Sequence, residues 1–136
     1  MTWLKKMSGL LPVWKIKEMS ISYLKKGELD KAEQEAEKAL QISKDINSVK
    51  ENAIAQRMLG RVNHKTGDVD ESINRLEKSK DKLRKSGFIV ELAKTLLYLG
   101  KICKQNDENK SEKYLREAGD RFKKSGMKPW LDIIEE

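Results

Sequence analysis

The chain has 136 residues, enough for one domain with its own hydrophobic core. Charged residues make up 38% of it and the formal net charge is +7, so its charge favours acidic proteins, nucleic acid or anionic surfaces as partners. The single cysteine, Cys103, excludes an internal disulfide, and no stretch approaches the roughly 20 apolar residues of a membrane span. These totals predict a soluble, cytoplasmic protein without a membrane span.

Turn-forming residues recur at regular intervals along the chain. Gly9, Asn47, Gly87 and Gly126 follow one another at nearly equal spacing, about 40 residues each time. Glycine and asparagine tolerate the left-handed conformation that ends many helices. This spacing predicts a chain built from three similar units. The predicted units are 10–47, 48–87 and 88–126.

Each unit contains a second turn, with helical apolar spacing on both sides of it. Gly27 and Gly67 begin this turn in the first and second units, and Asp107 lies at the matching place in the third. Ser48 and Asp68 are each followed three positions later by a glutamate, a spacing typical of a capped helix start. The pattern predicts an all-α fold made of antiparallel helix pairs.

Small and aromatic residues recur at matching places in the three units. They are Met19, Ser20, Tyr23, Gly27, Leu29, Ala32 and Ala39 in the first, Leu59, Gly60, Gly67, Val69, Ser72 and Ser79 in the second, and Leu99, Gly100, Ser111 and Ala118 in the third. The arrangement resembles the tetratricopeptide repeat family, although the repeat exceeds the roughly 34 residues usual there. Asn63 and Cys103 stand where the family has an aromatic residue, and Asp107 replaces the turn glycine. Repeats of this length are similar to those of sensor arrays attached to bacterial and archaeal signalling ATPases and transcription regulators.

The resemblance implies a tetratricopeptide-like α-α superhelix of three helix-turn-helix repeats with terminal half-repeats. Residues 1–9 compare with the end of a second helix, and residues 128–136 with a C-terminal capping helix, so that 1–136 forms a single domain. Terminal repeats leave apolar surface uncovered. A homo-oligomeric contact through the terminal apolar helices therefore stays open.

The excess positive charge lies on the predicted first helices. The segments 12–26, 48–65 and 88–104 hold eleven Lys or Arg against three Asp or Glu, whereas the second helices and their turns hold fifteen against sixteen. The resemblance implies that first helices line the concave face, so we expect a basic groove. The family's groove-facing positions project onto Trp14, Lys17, Ile21, Lys25, Ile54, Arg57, Arg61, His64, Lys65, Lys94, Leu97, Lys101 and Lys104.

A basic groove with apolar members such as Ile21 and Leu97 favours a protein–protein interaction scaffold that binds an acidic or amphipathic peptide. Nucleic-acid binding through the same stripe is the alternative; aromatic residues interleaved with the basic ones would favour it, but Trp14 is the only aromatic residue among the projected positions. A solvated lysine face that serves only solubility is a third interpretation. The two-carboxylate clamp known in the family does not fit, because Ile21, Met58 and Tyr98 replace its asparagines and arginine.

The sequence carries no glycine-rich phosphate loop, nucleophile motif or metal-ligand cluster. His64 is the only histidine and has no triad partner in the sequence. Cys103 falls on the apolar side of its predicted helix, so we expect it to be a buried packing residue. The sequence predicts no enzymatic activity, no metal and no cofactor.

Overall fold

The computed structural model describes residues 12–127, which form six helices and no strand. The helices are α1 (Val13–Lys26), α2 (Leu29–Asp45), α3 (Val49–Thr66), α4 (Val69–Ser86), α5 (Ile89–Cys103) and α6 (Glu108–Lys124). The all-helical class predicted from the sequence is confirmed for this part of the chain. Each of the three predicted units contains one helix pair. The predicted half-repeat at 1–9 and the capping helix at 128–136 lie outside the described residues.

Left-handed residues follow five of the six helices. Gly27, Gly67 and Gly87 have φ values of 80°, 92° and 75° and stand directly after α1, α3 and α4. Asn47 and Gly126, with φ values of 55° and 72°, follow the last residues of α2 and α6 by two positions. The predicted helix ends at Asn47, Gly87 and Gly126 are thus confirmed. Positive φ is the conformation that glycine, and to a lesser degree asparagine, adopts with little strain.

Capping side chains begin three of the helices. Ser48, Asp68 and Asp107 precede α3, α4 and α6, and each side-chain oxygen accepts a hydrogen bond from the backbone N–H three positions further along, at 3.1, 3.3 and 3.1 Å. These bonds satisfy amide groups that have no partner within the helix. The turn before Asp107 contains no left-handed residue. In the third pair, the turn between α5 and α6 is therefore made without a left-handed glycine, and the Asp107 cap marks the start of α6.

The helices form two layers. Each helix packs against its neighbours in the sequence, and in addition α1 contacts α3 and α3 contacts α5. Within residues 12–127, no contact of similar extent joins α2 to α4 or α4 to α6. The odd-numbered helices are therefore close neighbours of one another, while the even-numbered helices lie further apart.

A serine–carbonyl hydrogen bond joins the two helices of every pair. The serine hydroxyl donates to a backbone oxygen across the pair, which requires a close approach of the two helices. The bonds run from Ser72 to Gly60 and from Ser111 to Gly100, both 2.6 Å, and from Ser20 to Ala32, 2.8 Å. In the first pair the serine stands on the first helix, and in the other two on the second. Positions 20, 60 and 100 are evenly spaced in the sequence, and each takes part in one of these bonds.

A buried tyrosine links α4 to α6. The Tyr114 hydroxyl donates a 2.6 Å hydrogen bond to the Glu77 carboxylate. Burial, together with this bond and the charge of Glu77, raises the pKa of Tyr114 to about 12 from a usual value near 10.

We expect alkaline pH to destabilise the fold through Tyr114. Its raised pKa means that the folded state keeps the phenolic proton when the unfolded state has lost it, so this contribution to stability is complete below pH about 10 and is lost as pH rises towards 12. Urea unfolding across this range tests the effect. The parent should lose stability more steeply than Tyr114→Phe, and parallel pH profiles would contradict the assignment.

Candidate functional site

Two adjoining cavities lie along the layer of odd-numbered helices. One has a volume of about 320 Å³ and the other about 290 Å³, and both are lined by Arg61 and Tyr98. Arg61 stands on α3 and Tyr98 on α5, so the pair lies where these two helices meet. The two cavities share these side chains and so lie side by side; together they are called here the groove.

Eleven of the thirteen groove residues predicted from the sequence line this groove. They are Trp14, Lys17, Ile21, Lys25, Ile54, Arg57, Arg61, His64, Lys65, Lys94 and Lys101. Leu97 instead is fully buried in the core that α5 forms with its neighbours. Lys104 follows the end of α5 and is exposed outside both cavities. Leu97 is buried because α5 packs between α4 and α6 and has nine of its fifteen residues buried. Only a narrow face of α5 is left to line the groove.

The groove also contains residues that were not among the projected groove positions, although Met58 and Tyr98 had been compared with the family's clamp. They are Glu18, Leu24, Met58, Glu91, Tyr98 and Ile102. Tyr98 lies four positions after Lys94 and three before Lys101, which places all three on one face of a helix. Glu91 occupies the place in the third unit that Glu51 occupies in the second, so the repeat relates the two. Both signals were present in the sequence.

The cavity next to Trp14 is called here the charge-paired cavity, because three of its four cations, Lys17, Arg57 and Lys94, contact carboxylates. Its lining is Trp14, Lys17, Glu18, Ile21, Ile54, Arg57, Met58, Arg61, Glu91, Lys94 and Tyr98. Lys17 Nζ lies 3.0 Å from Oε2 of Glu51. Glu91 contacts both Arg57, at 2.8 Å, and Lys94, at 3.3 Å. Burial acts to raise the pKa of Glu91, but the two cations outweigh it and lower the pKa, so the carboxylate stays charged.

Arg57 lies in the wall of the charge-paired cavity, but its guanidinium is used inside the fold. It is only 8% exposed. Nη1 donates to the Glu91 carbonyl at 3.1 Å and to Thr95 Oγ1 at 3.3 Å, while Nη2 donates to the Glu91 carboxylate. Thr95 Oγ1 is in turn 3.1 Å from Ser79 Oγ on α4. Arg57 therefore holds α3 to α5. Its charge is paired with Glu91 and both of its terminal nitrogens already donate hydrogen bonds, so it is poorly suited to bind a ligand.

The second cavity, called here the basic cavity, has a lining without any acidic residue. Its lining is Leu24, Lys25, Arg61, His64, Lys65, Tyr98, Lys101 and Ile102. Among the described residues, no carboxylate lies within salt-bridge distance of its one arginine or its three lysines. Leu24 and Ile102, which are both buried, contribute apolar surface. The basic cavity thus combines four cations with an apolar floor.

Arg61 connects the two cavities and is held in place by an aromatic ring. Its guanidinium carbon lies 4.2 Å from the centre of the Tyr98 ring. Stacking of this kind orients the planar guanidinium and leaves its N–H groups free to donate at the edge. Burial, and to a smaller extent nearby Arg57, lowers the pKa of Arg61, while Tyr98 acts to raise it. Arginine nevertheless remains charged at all physiological pH values.

The pKa of His64 is affected by the charges of the basic cavity. Burial, followed by the charge of Lys65, lowers its pKa below the usual 6.5. The imidazole is therefore neutral at pH 7, and the cationic surroundings oppose its protonation. A bound anion would act in the opposite direction and raise this pKa.

Metal binding and nucleophilic chemistry depend on clustered or activated side chains. Among residues 12–127, no group of three or more His, Cys, Asp or Glu side chains is arranged to hold a metal ion. Cys103 is buried, as predicted, and burial together with nearby Glu77 raises the pKa of its thiol, which disfavours the reactive thiolate. None of the helices in this part of the chain is long and apolar enough to cross a membrane.

Comparison with known proteins adds no identification. The chain matches no protein-family model, and a search of curated protein sequences finds no relative. The geometry of the groove is therefore the basis for any functional assignment.

Proposed function

We propose that the chain is a tetratricopeptide-like repeat domain that acts as an interaction scaffold and docks an acidic or amphipathic peptide in its groove. Three features support the repeat assignment: helix pairs that recur at a nearly constant spacing, the serine–carbonyl bond in each pair, and the contacts that α1 and α5 make with α3. Such stacking creates an extended surface along one layer of helices, which repeat proteins use for binding.

The observation that carries the proposal is the contrast between the two halves of the groove. The charge-paired cavity offers apolar side chains, among them Trp14, which is 57% exposed, and Ile21. The basic cavity offers four cations that no described carboxylate neutralises. A peptide with an apolar anchor beside an acidic cluster matches both halves at once, because anchors bind in pockets and charges add specificity and encounter rate.

Nucleic acid fits the groove less well than a peptide does. A polynucleotide backbone needs a continuous positive track. Here Glu18 and Glu91 line one of the two cavities, and Lys17, Arg57 and Lys94 are paired with carboxylates. Within the groove, the cations without a carboxylate partner among the described residues therefore all line the basic cavity, which favours a short acidic segment over a long polyanion.

Selection from a display library of random linear peptides tests the proposal. We expect enriched peptides to place Asp or Glu clusters beside an aromatic or aliphatic residue. The double variant Arg61→Glu/Lys101→Glu should weaken binding of these peptides by at least about tenfold, because it replaces two attractive charges by repulsive ones. Arg57 is left unchanged, since its guanidinium joins α3 to α5.

Lys104→Glu is the control for the single reversal Lys101→Glu, which is measured beside the double variant. The Lys104→Glu variant also reverses one lysine charge, and Lys104 lies only three residues after Lys101 in the sequence. Because Lys104 lines neither cavity, affinity for the peptides should fall by no more than about twofold. Circular dichroism establishes that all variants remain helical. Enriched peptides without acidic residues would contradict the proposal. So would tight binding of a single-stranded oligonucleotide with a steep inverse salt dependence, which would favour the nucleic-acid alternative.

A further inference from the structure

We propose that the basic cavity is a phosphate-binding site that recognises a phosphorylated side chain on the docked peptide. The inference rests on the peptide-docking function, because it names the group that the groove would select. It follows from the number of cations in the cavity, the orientation of Arg61 and the apolar floor.

The charge of the basic cavity exceeds what one carboxylate neutralises. Lys25, Arg61, Lys65 and Lys101 all line the same space of about 320 Å³, and the lining holds no acid. The four cations repel one another, and a single guanidinium is enough to bind one carboxylate in two places. A phosphomonoester carries a charge of roughly −1.5 to −2 at pH 7 and has three acceptor oxygens. It therefore relieves more of the repulsion than an aspartate or glutamate does.

Arg61 has N–H donors that an oxyanion in the basic cavity could use. Its ring contact with Tyr98 leaves the guanidinium edge available, and no carboxylate among the described residues lies within salt-bridge distance of Arg61. Arginine binds phosphate with two parallel N–H donors, while lysines contribute mobile point charges around it. Lys65 and Lys101 come from α3 and α5, so they provide such charges from two sides of the cavity.

The cavity is suited to a phosphate attached to an organic group. Leu24 and Ile102 are 8% and 7% exposed and give the cavity an apolar floor. Free phosphate would gain nothing from this surface, whereas the side chain that carries a phosphoryl group would bury carbon against it. His64 adds a neutral imidazole that is able to donate or accept a hydrogen bond.

Three small probes test the inference with the whole chain. Phenyl phosphate, phenyl sulfate and inorganic phosphate are titrated at about pH 8, where phenyl phosphate is doubly charged because its second pKa is near 6. Binding is measured by calorimetry and located by NMR shifts of the Arg61 and His64 side chains. We expect phenyl phosphate to bind about tenfold more tightly than phenyl sulfate, which has the same shape and one charge. It should also bind more tightly than inorganic phosphate.

Variants identify the residues responsible. Arg61→Gln should weaken phenyl phosphate binding by at least about tenfold. Lys65→Gln/Lys101→Gln should weaken it by a similar factor and leave the contact between Arg61 and Tyr98 in place. Lys44→Gln removes an exposed lysine from α2 and should leave affinity unchanged. Equal affinity for phenyl phosphate and phenyl sulfate, or full binding by both groove variants, would overturn the inference.

The remaining outcomes separate this inference from the peptide-docking function and from other sources of phosphate. If acidic peptides bind but replacing one of their acidic residues by phosphoserine adds no affinity, the docking function stands and the phosphate inference fails. If phenyl phosphate binds at Arg61 but no peptide is selected, the anion site exists without the function, and recognition on a peptide is refuted. Inorganic phosphate binding as tightly as phenyl phosphate, or co-sedimentation with phosphatidate-containing vesicles that depends on Arg61, would also overturn it.

Discussion

Replacing Arg57 by methionine is expected to destabilise the protein by about 3 kcal/mol, even though Arg57 lies in the wall of the groove. The substitution removes three hydrogen bonds that α3 makes with α5 and leaves the buried side of Glu91 with only Lys94 as a charged partner. Removing one member of a buried pair costs more than the pair contributes in net stability, because the other charge is left without compensation. Urea unfolding followed by circular dichroism measures the change.

Two further variants show whether the loss arises from the unpaired carboxylate. Arg57→Met/Glu91→Leu removes both members of the pair and should recover a large part of the lost stability. Arg61→Met, one helical turn further along, should cost about 1 kcal/mol or less, because Arg61 has a stacking contact with Tyr98 and no described ion pair. If Arg57→Met and Arg61→Met destabilise equally, Arg57 does not hold the helices together.

The contrast between Arg57 and Arg61 illustrates what the sequence could and could not predict about the site. Both arginines lie on one face of α3, and the sequence placed both in a basic stripe. Their difference depends on Glu91, which is 34 residues away from Arg57 and reaches it only because α5 packs on α3. Lys17 and Glu51 are paired across the same separation. The repeat relates the two pairs, so the sequence did contain a signal for them, but only a packing geometry turns it into contacts.

The fold was more accessible from the sequence than the site because it depends on local signals. Left-handed residues and capping side chains act within a few positions of the helix end, so Gly87, Asn47 and Ser48 could be interpreted without knowing the packing. The burial of Leu97 is different. It depends on the packing of α5 between two neighbouring helices. Helical spacing in the sequence alone does not distinguish Leu97 from exposed positions on the same helix.

Gly60 and Gly100, which the sequence analysis singled out as small residues, lie where two helices approach closely, and a substitution at Gly100 has the second large expected effect. A Cβ atom added at Gly100 would lie 2.6 Å from Cγ of Leu115 and 3.3 Å from its backbone nitrogen. At Gly60 the closest atoms would be Leu76 Cγ at 3.0 Å and the Ser72 carbonyl oxygen at 3.1 Å. Both glycines are inside helices, where alanine alone would favour the helix by about 1 kcal/mol. Steric contact and helix propensity therefore act in opposite directions.

We expect Gly100→Ala to destabilise the protein by about 2 kcal/mol, because at 2.6 Å the collision involves a branched carbon close to the backbone of α6 and outweighs the gain in helix propensity. Separation of α5 from α6 would also strain the hydrogen bond from Ser111 to the carbonyl of residue 100. Gly60→Ala should cost less, since the closest contact of its new Cβ would be 3.0 Å instead of 2.6 Å. Thermal and urea unfolding of both variants measure the order.

A double variant distinguishes collision from any other effect of the methyl group. Leu115→Ala removes the two side-chain carbons that the new Cβ would meet below 3.0 Å and leaves only the backbone nitrogen at 3.3 Å, so Gly100→Ala should cost much less in that background, even though Leu115→Ala is itself destabilising. Additive losses in the double variant would mean that Leu115 is not the obstacle. A favourable coupling would instead establish that the absence of a side chain at position 100 allows α5 and α6 to approach closely at Leu115.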